Sequence, residues 1–473
     1  MNTDLPPYLS EKPIVAVLNE KCIVRPAEKA KNGEVFTPLY LICDLLEKFP
    51  LEVWQNPNLK WLDPANGLGH ICIVVYYRLM EGLKEVNGFK NTKKRSKHII
   101  EQMLCMVELN PECVEMSKTL FKTIDKDATP TILCADFLND YTKSDKFDII
   151  LGNPPYNSDG IKHKGKKNIY VSFVIKGLEL LKPDGYMAYI HPPTYRIPHH
   201  KIQHARINLN AIYTSKRILC IRMFSIPATK KMMNVMMNVD YILIQNRSEQ
   251  NPVFLSTLID INAKEYKQHI APNDFLPNYG LPLLQKMRAK ALQNGSIKLI
   301  LTSEMHAQII KKAQATAAGQ VKAQKIKKEK NYKNIHGIKS KGIKICWSTE
   351  PHSFLTKRKL IINGIGSYNY VFYDERGEYG FTQSPIAIID PSPNTLQLVQ
   401  SKLFHYLVNA TKIIGNNFNI QTALFLPLIS AEEIAIHNAE DLYDYFEFSA
   451  EERKEIELCA IPKYKTNELE EDD

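Results

Sequence analysis

Four apolar runs in the first third of the chain each stop at a polar or glycine-rich signal, and helical patterns fill the stretches between them. The runs are Leu59–Leu62, Met103–Val107, Thr131–Cys134 and Phe147–Leu151, and the signals are Asp63, Glu108, Asp136 and Asn153. Parallel strands need crossovers of a dozen residues or more, usually a helix, so this alternation specifies a parallel sheet. The expected fold class is α/β, a Rossmann-like sheet with helices on both faces. Open sheets of this kind place ligands beyond the C-terminal ends of their strands. One carboxylate after a strand is more often a helix cap than a ligand contact, whereas four such ends in order describe one crevice.

The fourth end is the most specific. Asp148-Ile-Ile-Leu-Gly152 runs into Asn153-Pro154-Pro155-Tyr156. Two prolines continue neither sheet nor helix, and the residue before a proline is held extended. The loop offers the amide oxygen of Asn153, the Pro154 carbonyl and the aromatic ring of Tyr156. These are the parts needed to hold a planar amine. A proline-rich surface turn would use the same letters, but would not need an apolar strand before it.

Upstream, Asp63-Pro64-Ala65-Asn66-Gly67-Leu68-Gly69 joins the first strand to a helix from Ile71 to about Leu83. Glycines there let a ligand approach the backbone. No Gly-Lys-Ser/Thr follows, so a phosphate-gripping loop of the nucleotidase type is excluded. Before this strand, Thr37 is expected as an N-cap and Pro38 as the first residue of a helix bearing Leu41, Ile42, Leu45, Leu46 and Phe49 on one face. Residues 84 to 98 are polar and basic and read as a surface loop. Asn157 to Asn168 is expected to cover the crevice. A fifth strand, Tyr186–Ile190, ends in His191-Pro192-Pro193, and two more are expected at Ile218–Met223 and Val239–Gln245.

The chain has 473 residues, enough for two or three domains. Its nine cysteines form no Cys-x-x-Cys pair, so neither a zinc site nor a disulfide framework is indicated, and free thiols suit a reducing, cytoplasmic setting. There is no signal-peptide pattern and no uncharged apolar stretch near the length of a membrane span. The net charge of +10 is unevenly placed: Lys311 to Lys344 holds eleven lysines, one glutamate and no aspartate, which equals the whole-chain excess. Such a segment is either a solvated linker or a surface for a polyanion.

The ordered set resembles the S-adenosylmethionine-dependent amino-methyltransferases, specifically DNA adenine-N6 methyltransferases of the gamma motif order. Phe36-Thr37-Pro38 matches their N-terminal cofactor motif, and the loop at 63–69 resembles Asp-Pro-Ala-Cys-Gly-Ser-Gly, departing at Asn66 and Leu68. The resemblance implies a class I methyltransferase sheet. It gives Phe36, Thr37, Asp63, Ala65, Gly67, Gly69, Glu108, Asp136, Phe137 and Asn153 as contacts of S-adenosylmethionine. It gives Asn153, Pro154, Pro155 and Tyr156 as the catalytic tetrapeptide, with Tyr156 stacking on the target base. Phe224 either covers the base's other face or packs at a strand end. The implied partner is double-stranded DNA, with no metal and no membrane.

The domains expected are an N-terminal arm at 1–32, a catalytic domain at 33–249 and a mixed α+β target-recognition domain at 250–473, which includes the basic segment 311–344. In that last part strands are expected at Ile343–Trp347, Leu360–Ile362, Tyr368–Tyr373 and Tyr379–Thr382, with Asp374–Gly377 as a hairpin turn. Helices are expected at 303–330, 395–408 and 431–445. Methylation of an RNA base or a protein glutamine uses the same loop, and a non-catalytic nucleic-acid-binding subunit could keep the fold. The long basic region after the loop favours DNA over the first two, and the intact motif set speaks against the third.

Overall fold

The computed structural model describes residues 5–21, 37–142, 145–157, 168–198, 207–247, 254–301, 332–339, 342–348, 350–364, 371–414, 419–432 and 434–458. The expected helix at 303–330, Phe36 and most of the segment 157–168 lie outside these residues. Two compact units are present, Met1–Phe275 and Leu276–Asp473.

The first unit is built on one nine-stranded sheet. Its strands are β1 (Trp61–Asp63), β2 (Leu104–Glu108), β3 (Thr131–Cys134), β4 (Phe147–Gly152), β5 (Leu181–His191), β6 (Arg217–Phe224), β7 (Val239–Gln245), β8 (Ser256–Ile259) and β9 (Glu265–Gln268). The spatial order is β3-β2-β1-β4-β5-β7-β6-β8-β9. From β3 to β5 every pairing is parallel, and β7 is antiparallel to both neighbours. The strand order reverses between β1 and β4, which makes that boundary the switch point where such sheets bind ligands. Because β1 is covered on both faces, all three of its residues are buried. Beneath it Trp54 and Trp61 stand 5.1 Å apart, ring centre to ring centre, with Phe49 against both.

The expected strands of the first unit are present, and three regions differ from the sequence reading. The N-terminal lead-in is helical over Pro7–Ser10 and Pro13–Lys21, because Leu9, Ile14 and Leu18 bury themselves. Arg78 on the helix His70–Gly82 lies over the Tyr8 ring, 5.3 Å from its centre. The polar stretch 84–98 read as a loop contains the helix Thr92–His98, which runs on into a π turn, Ile99–Met103. It lacks an apolar stripe, yet Asn91 caps it by accepting from Lys94 N, and Arg95 Nη1 donates to the Phe89 and Lys90 carbonyls. Finally, β8 and β9 extend the sheet past residue 250, so this unit runs on to Phe275.

The second unit carries two three-stranded sheets. One has the order β11 (Gly342–Ser348), β10 (Tyr332–Lys339), β14 (Gly380–Phe381). The other has the order β13 (Val371–Asp374), β12 (Lys359–Asn363), β15 (Pro385–Ile389). The turn at Asp374–Gly377 does not close a hairpin, since β13 pairs with β12 and β14 with β10. Asp374 explains this. Its carboxylate meets the buried Lys359 ammonium at 2.7 Å and accepts from Glu378 N and Tyr379 N, folding the chain across to the other sheet. Pro282 opens the helix Leu281–Asn294 at its first turn, where a missing N–H costs nothing. The helix expected at 395–408 is two, Pro393–Gln400 and Lys402–Thr411, with Ser401 capping the second. The helix expected at 431–445 forms only over Ala439–Tyr445, behind a capping box at Asn438.

Candidate active site

Parallel pairing brings Asp63, Glu108, Asp136 and Asn153 to the same edge of the sheet. Asp63 ends β1, fully buried. Its Oδ1 accepts from Ala65 N at 3.0 Å, and its Oδ2 is buried with no hydrogen-bond partner among the described residues. Its pKa is raised to about 7, chiefly by burial and in smaller part by the Glu108 carboxylate, against the lowering effect of the Ala65 N–H. A buried carboxylate with one idle oxygen is costly unless a cation or donor arrives.

The glycine loop is held by Glu108. Its Oε2 accepts from Gly67 N at 2.6 Å and its Oε1 from Asn110 N at 2.8 Å, while Asn110 caps the helix Pro111–Ile124. Gly67 has φ +54°, and a β-carbon there would meet nothing within 4 Å, so its outer side is open. Gly69 has φ +89°, and a β-carbon would come within 2.7 Å of Ser117 Oγ. Asn66, where the loop departs from the family pattern, donates from Nδ2 to that same Ser117 Oγ at 3.0 Å. The departure is thereby absorbed inside the fold.

Asp136 closes the turn after β3, accepting from Leu138 N and Asn139 Nδ2 at 2.8 and 2.7 Å. Phe137 is buried, stacked on Phe173 with centres 5.3 Å apart. Lys176, which sequence reasoning passed over, fastens this turn. Its Nζ donates to the Leu138 and Tyr141 carbonyls and lies 5.2 Å from the Phe137 ring centre. Leu109 was also passed over. It is 67% exposed directly after Glu108, offering an apolar surface at the crevice edge.

At the end of β4, Asn153 Nδ2 donates to Thr37 Oγ1 at 3.1 Å, and Asn153 Oδ1 is buried with no partner among the described residues. Thr37 was expected as a helix cap. The helix Leu39–Leu46 instead begins after Pro38 with no side-chain cap, and the Thr37 hydroxyl serves Asn153. Tyr156 is 8% exposed, with its Oη unpartnered, and its ring meets Tyr170 edge-on at 6.5 Å. Phe224 is buried at the end of β6 beside Tyr241 and the Arg222 guanidinium.

Behind the loop lies a buried polar layer. His191 is sandwiched between Tyr170 and Tyr213, with ring centres at 5.3 and 5.6 Å. Its Nδ1–H donates to the Pro192 carbonyl, so Nε2 accepts from the Tyr213 hydroxyl, both at 2.8 Å. Burial lowers its pKa to about 4 and keeps the ring neutral. Arg196 and Asp240 form a fully buried ion pair at 2.9 Å, with Tyr195 Oη donating to Asp240.

Residues 55–224 match the family model described as Eco57I restriction-modification methylase. An uncharacterized adenine-specific methylase of Mycoplasma pneumoniae is 27% identical over 250 residues, covering 37% of this chain and 58% of that protein. Modification methylase CviBIII of Paramecium bursaria Chlorella virus NC1A is 34% identical over 175 residues, covering 35% of this chain and 39% of that protein. The chain therefore spans about half the length, or less, of these relatives. Among solved structures, the Type IIL restriction-modification enzyme MmeI in complex with DNA aligns at 12% identity with a TM-score of 0.47, covering 85% of this chain and 69% of that one. The resemblance read from the motifs and the family match fall on the same strands.

Proposed function

We propose that this chain transfers a methyl group from S-adenosylmethionine to the N6 amine of a flipped-out adenine in double-stranded DNA. The observation that carries this is Asn153 Oδ1, a buried acceptor with no partner at the switch-point edge of the sheet. Buried acceptors are almost always satisfied, and an exception at a strand end facing a ligand crevice marks a position kept for substrate.

The crevice fits the cofactor. Asp63 Oδ2 would meet its ammonium, the open side of Gly67 would accept its bulk, and Glu108 and Leu109 would flank its nucleoside. When bound it supplies a methyl already activated by a sulfonium. The difficulty then lies with the amine, whose lone pair is delocalised into the purine. Asn153 Oδ1 and the Pro154 carbonyl accept the two amine hydrogens. That turns the lone pair out of the ring plane and offsets positive charge as it develops. Holding the amine in line supplies much of the remaining acceleration. A paired base cannot reach the loop, so it is extruded at a cost of a few kcal/mol. Stacking on Tyr156 would offset about 1–3 kcal/mol of that. The ring is nearly covered, and its Oη has no partner among the described residues.

The second unit is the part we assign to target recognition. The lysines of 311–344 supply the positive charge. Within this segment Lys333 lies 5.4 Å from the ring centre of Trp347, which is half exposed. Trp54 and Trp61 are buried, so fluorescence quenching by DNA would report Trp347. Sequencing native DNA with modification detection, from cells expressing the chain, tests the function. Methyl-adenine at one sequence is expected, and its absence together with methylated RNA or protein would move the substrate class. Neutralising lysines in 311–344 should weaken DNA binding and flatten its salt dependence. An unchanged slope would make the segment a linker.

A further inference from the structure

The two ends of an asparagine amide are nearly equal in size and opposite in chemistry. Only the oxygen of Asn153 can accept a hydrogen from an amine. Turned over, the side chain would set its own N–H groups against those of the substrate. Something must therefore hold the side chain still once its oxygen faces the crevice.

The structure assigns to Thr37 the task of holding the Asn153 side chain in this pose. Its Oγ1 accepts from Asn153 Nδ2 at 3.1 Å, which leaves Oδ1 as the end without a partner. Thr37 is 4% exposed, so water does not readily take over. The two residues come from distant parts of the chain, and no cap bond competes for the hydroxyl. Thr37 is a positioning residue for Asn153, which goes beyond the cofactor contact that the family resemblance gives it. The inference rests on the methyltransferase reading above for its kinetic arm only.

Thr37→Val keeps the shape and removes the oxygen, while Thr37→Ser keeps the oxygen. At saturating S-adenosylmethionine, single-turnover methylation of a DNA duplex carrying the recognised site is expected to fall about tenfold in Thr37→Val, the worth of one hydrogen bond. Thr37→Ser should recover most of the rate. Cofactor affinity measured by calorimetry should change less than the rate. Wild-type speed in Thr37→Val at saturating cofactor, with only affinity weakened, would reduce Thr37 to a cofactor contact and overturn the proposal. A substrate-free measurement keeps the two readings separate. By NMR, hydrogen exchange of the Asn153 side-chain amide should be at least about tenfold faster in Thr37→Val than in wild type, the opening of one hydrogen bond. Equal exchange overturns the positioning role even in a chain that methylates no DNA. No methylation by wild type, with slow exchange retained, rejects the function and keeps the contact.

Discussion

β4 runs into Asn153-Pro154-Pro155-Tyr156, and its parallel neighbour β5 runs into His191-Pro192-Pro193-Thr194-Tyr195. The two ends are nearly the same in letters. At the first, one side of the polar residue is tied to Thr37 and the other is left unpaired. At the second, both ring nitrogens are satisfied and both faces are covered by tyrosines. A strand end followed by two prolines is thus a stiff mount, and the partners of the mounted side chain decide its use. Where every partner is internal we read the mount as scaffold, and where one is missing we read it as a site.

The contrast can be broken most directly by truncating each side. Asn153→Ala should lower methyl transfer by more than about a hundredfold, by analogy with removing one oxyanion-hole group, and leave cofactor binding nearly intact. Full activity would remove Asn153 from the chemistry. His191→Ala should instead lower stability by about 3 kcal/mol in urea unfolding, leaving a cavity and an unpaired Tyr213 hydroxyl, with kcat per folded molecule retained. A kcat loss larger than the folded fraction explains would make the second mount functional as well.

The pH dependence of stability separates idle from satisfied groups in a different way. Asp63 has a raised folded pKa near 7, so its contribution is favourable at low pH and is lost as pH rises from the unfolded carboxylate range through about 7. His191 has a lowered folded pKa near 4, so its contribution is present above the unfolded imidazole range and is lost as pH falls toward about 4. Asp63→Asn should therefore unfold at a higher temperature than wild type at pH 8 while binding the cofactor more weakly. Acidification to pH 5 should destabilise it more than wild type. His191→Gln should be destabilised less by the same change. The smallest effect expected is at Tyr156. Removing its unpaired buried hydroxyl in Tyr156→Phe should raise stability by about 1 kcal/mol. A loss instead would mean that the hydroxyl has a partner in solution.

The strand ends were legible in the sequence because they are local. A run of β-branched residues, a glycine or proline, and an acid or amide are all written within ten positions. What each end touches was not legible. Thr37 has good capping chemistry and sits just before a helix, yet its hydroxyl goes to Asn153 in the loop after a distant strand. Glu108 was assigned to a ligand, and its carboxylate also holds the backbone of Gly67 and Asn110. Lys176 looks like any helix-surface lysine until two carbonyls and two rings converge on it. In the second unit the turn at 374–377 has hairpin letters, but the buried Lys359–Asp374 pair routes the chain elsewhere. Distant polar partners override local propensity in each case.

The placement of β1 between β2 and β4 has a consequence for how the chain is made. During synthesis β1, β2 and β3 emerge first, with the glycine loop and Glu108 already among them. One edge of β1 stays open, since its other neighbour pairs Ile149 and Ile150 against Trp61 and Leu62 and is made later. A nascent half-sheet of this kind holds the glycine loop and Glu108 but not Asn153. It also exposes an apolar central strand, the kind of edge on which chains aggregate. The arrival of β4 ends both conditions together, so the step that seals the sheet is also the step that installs Asn153.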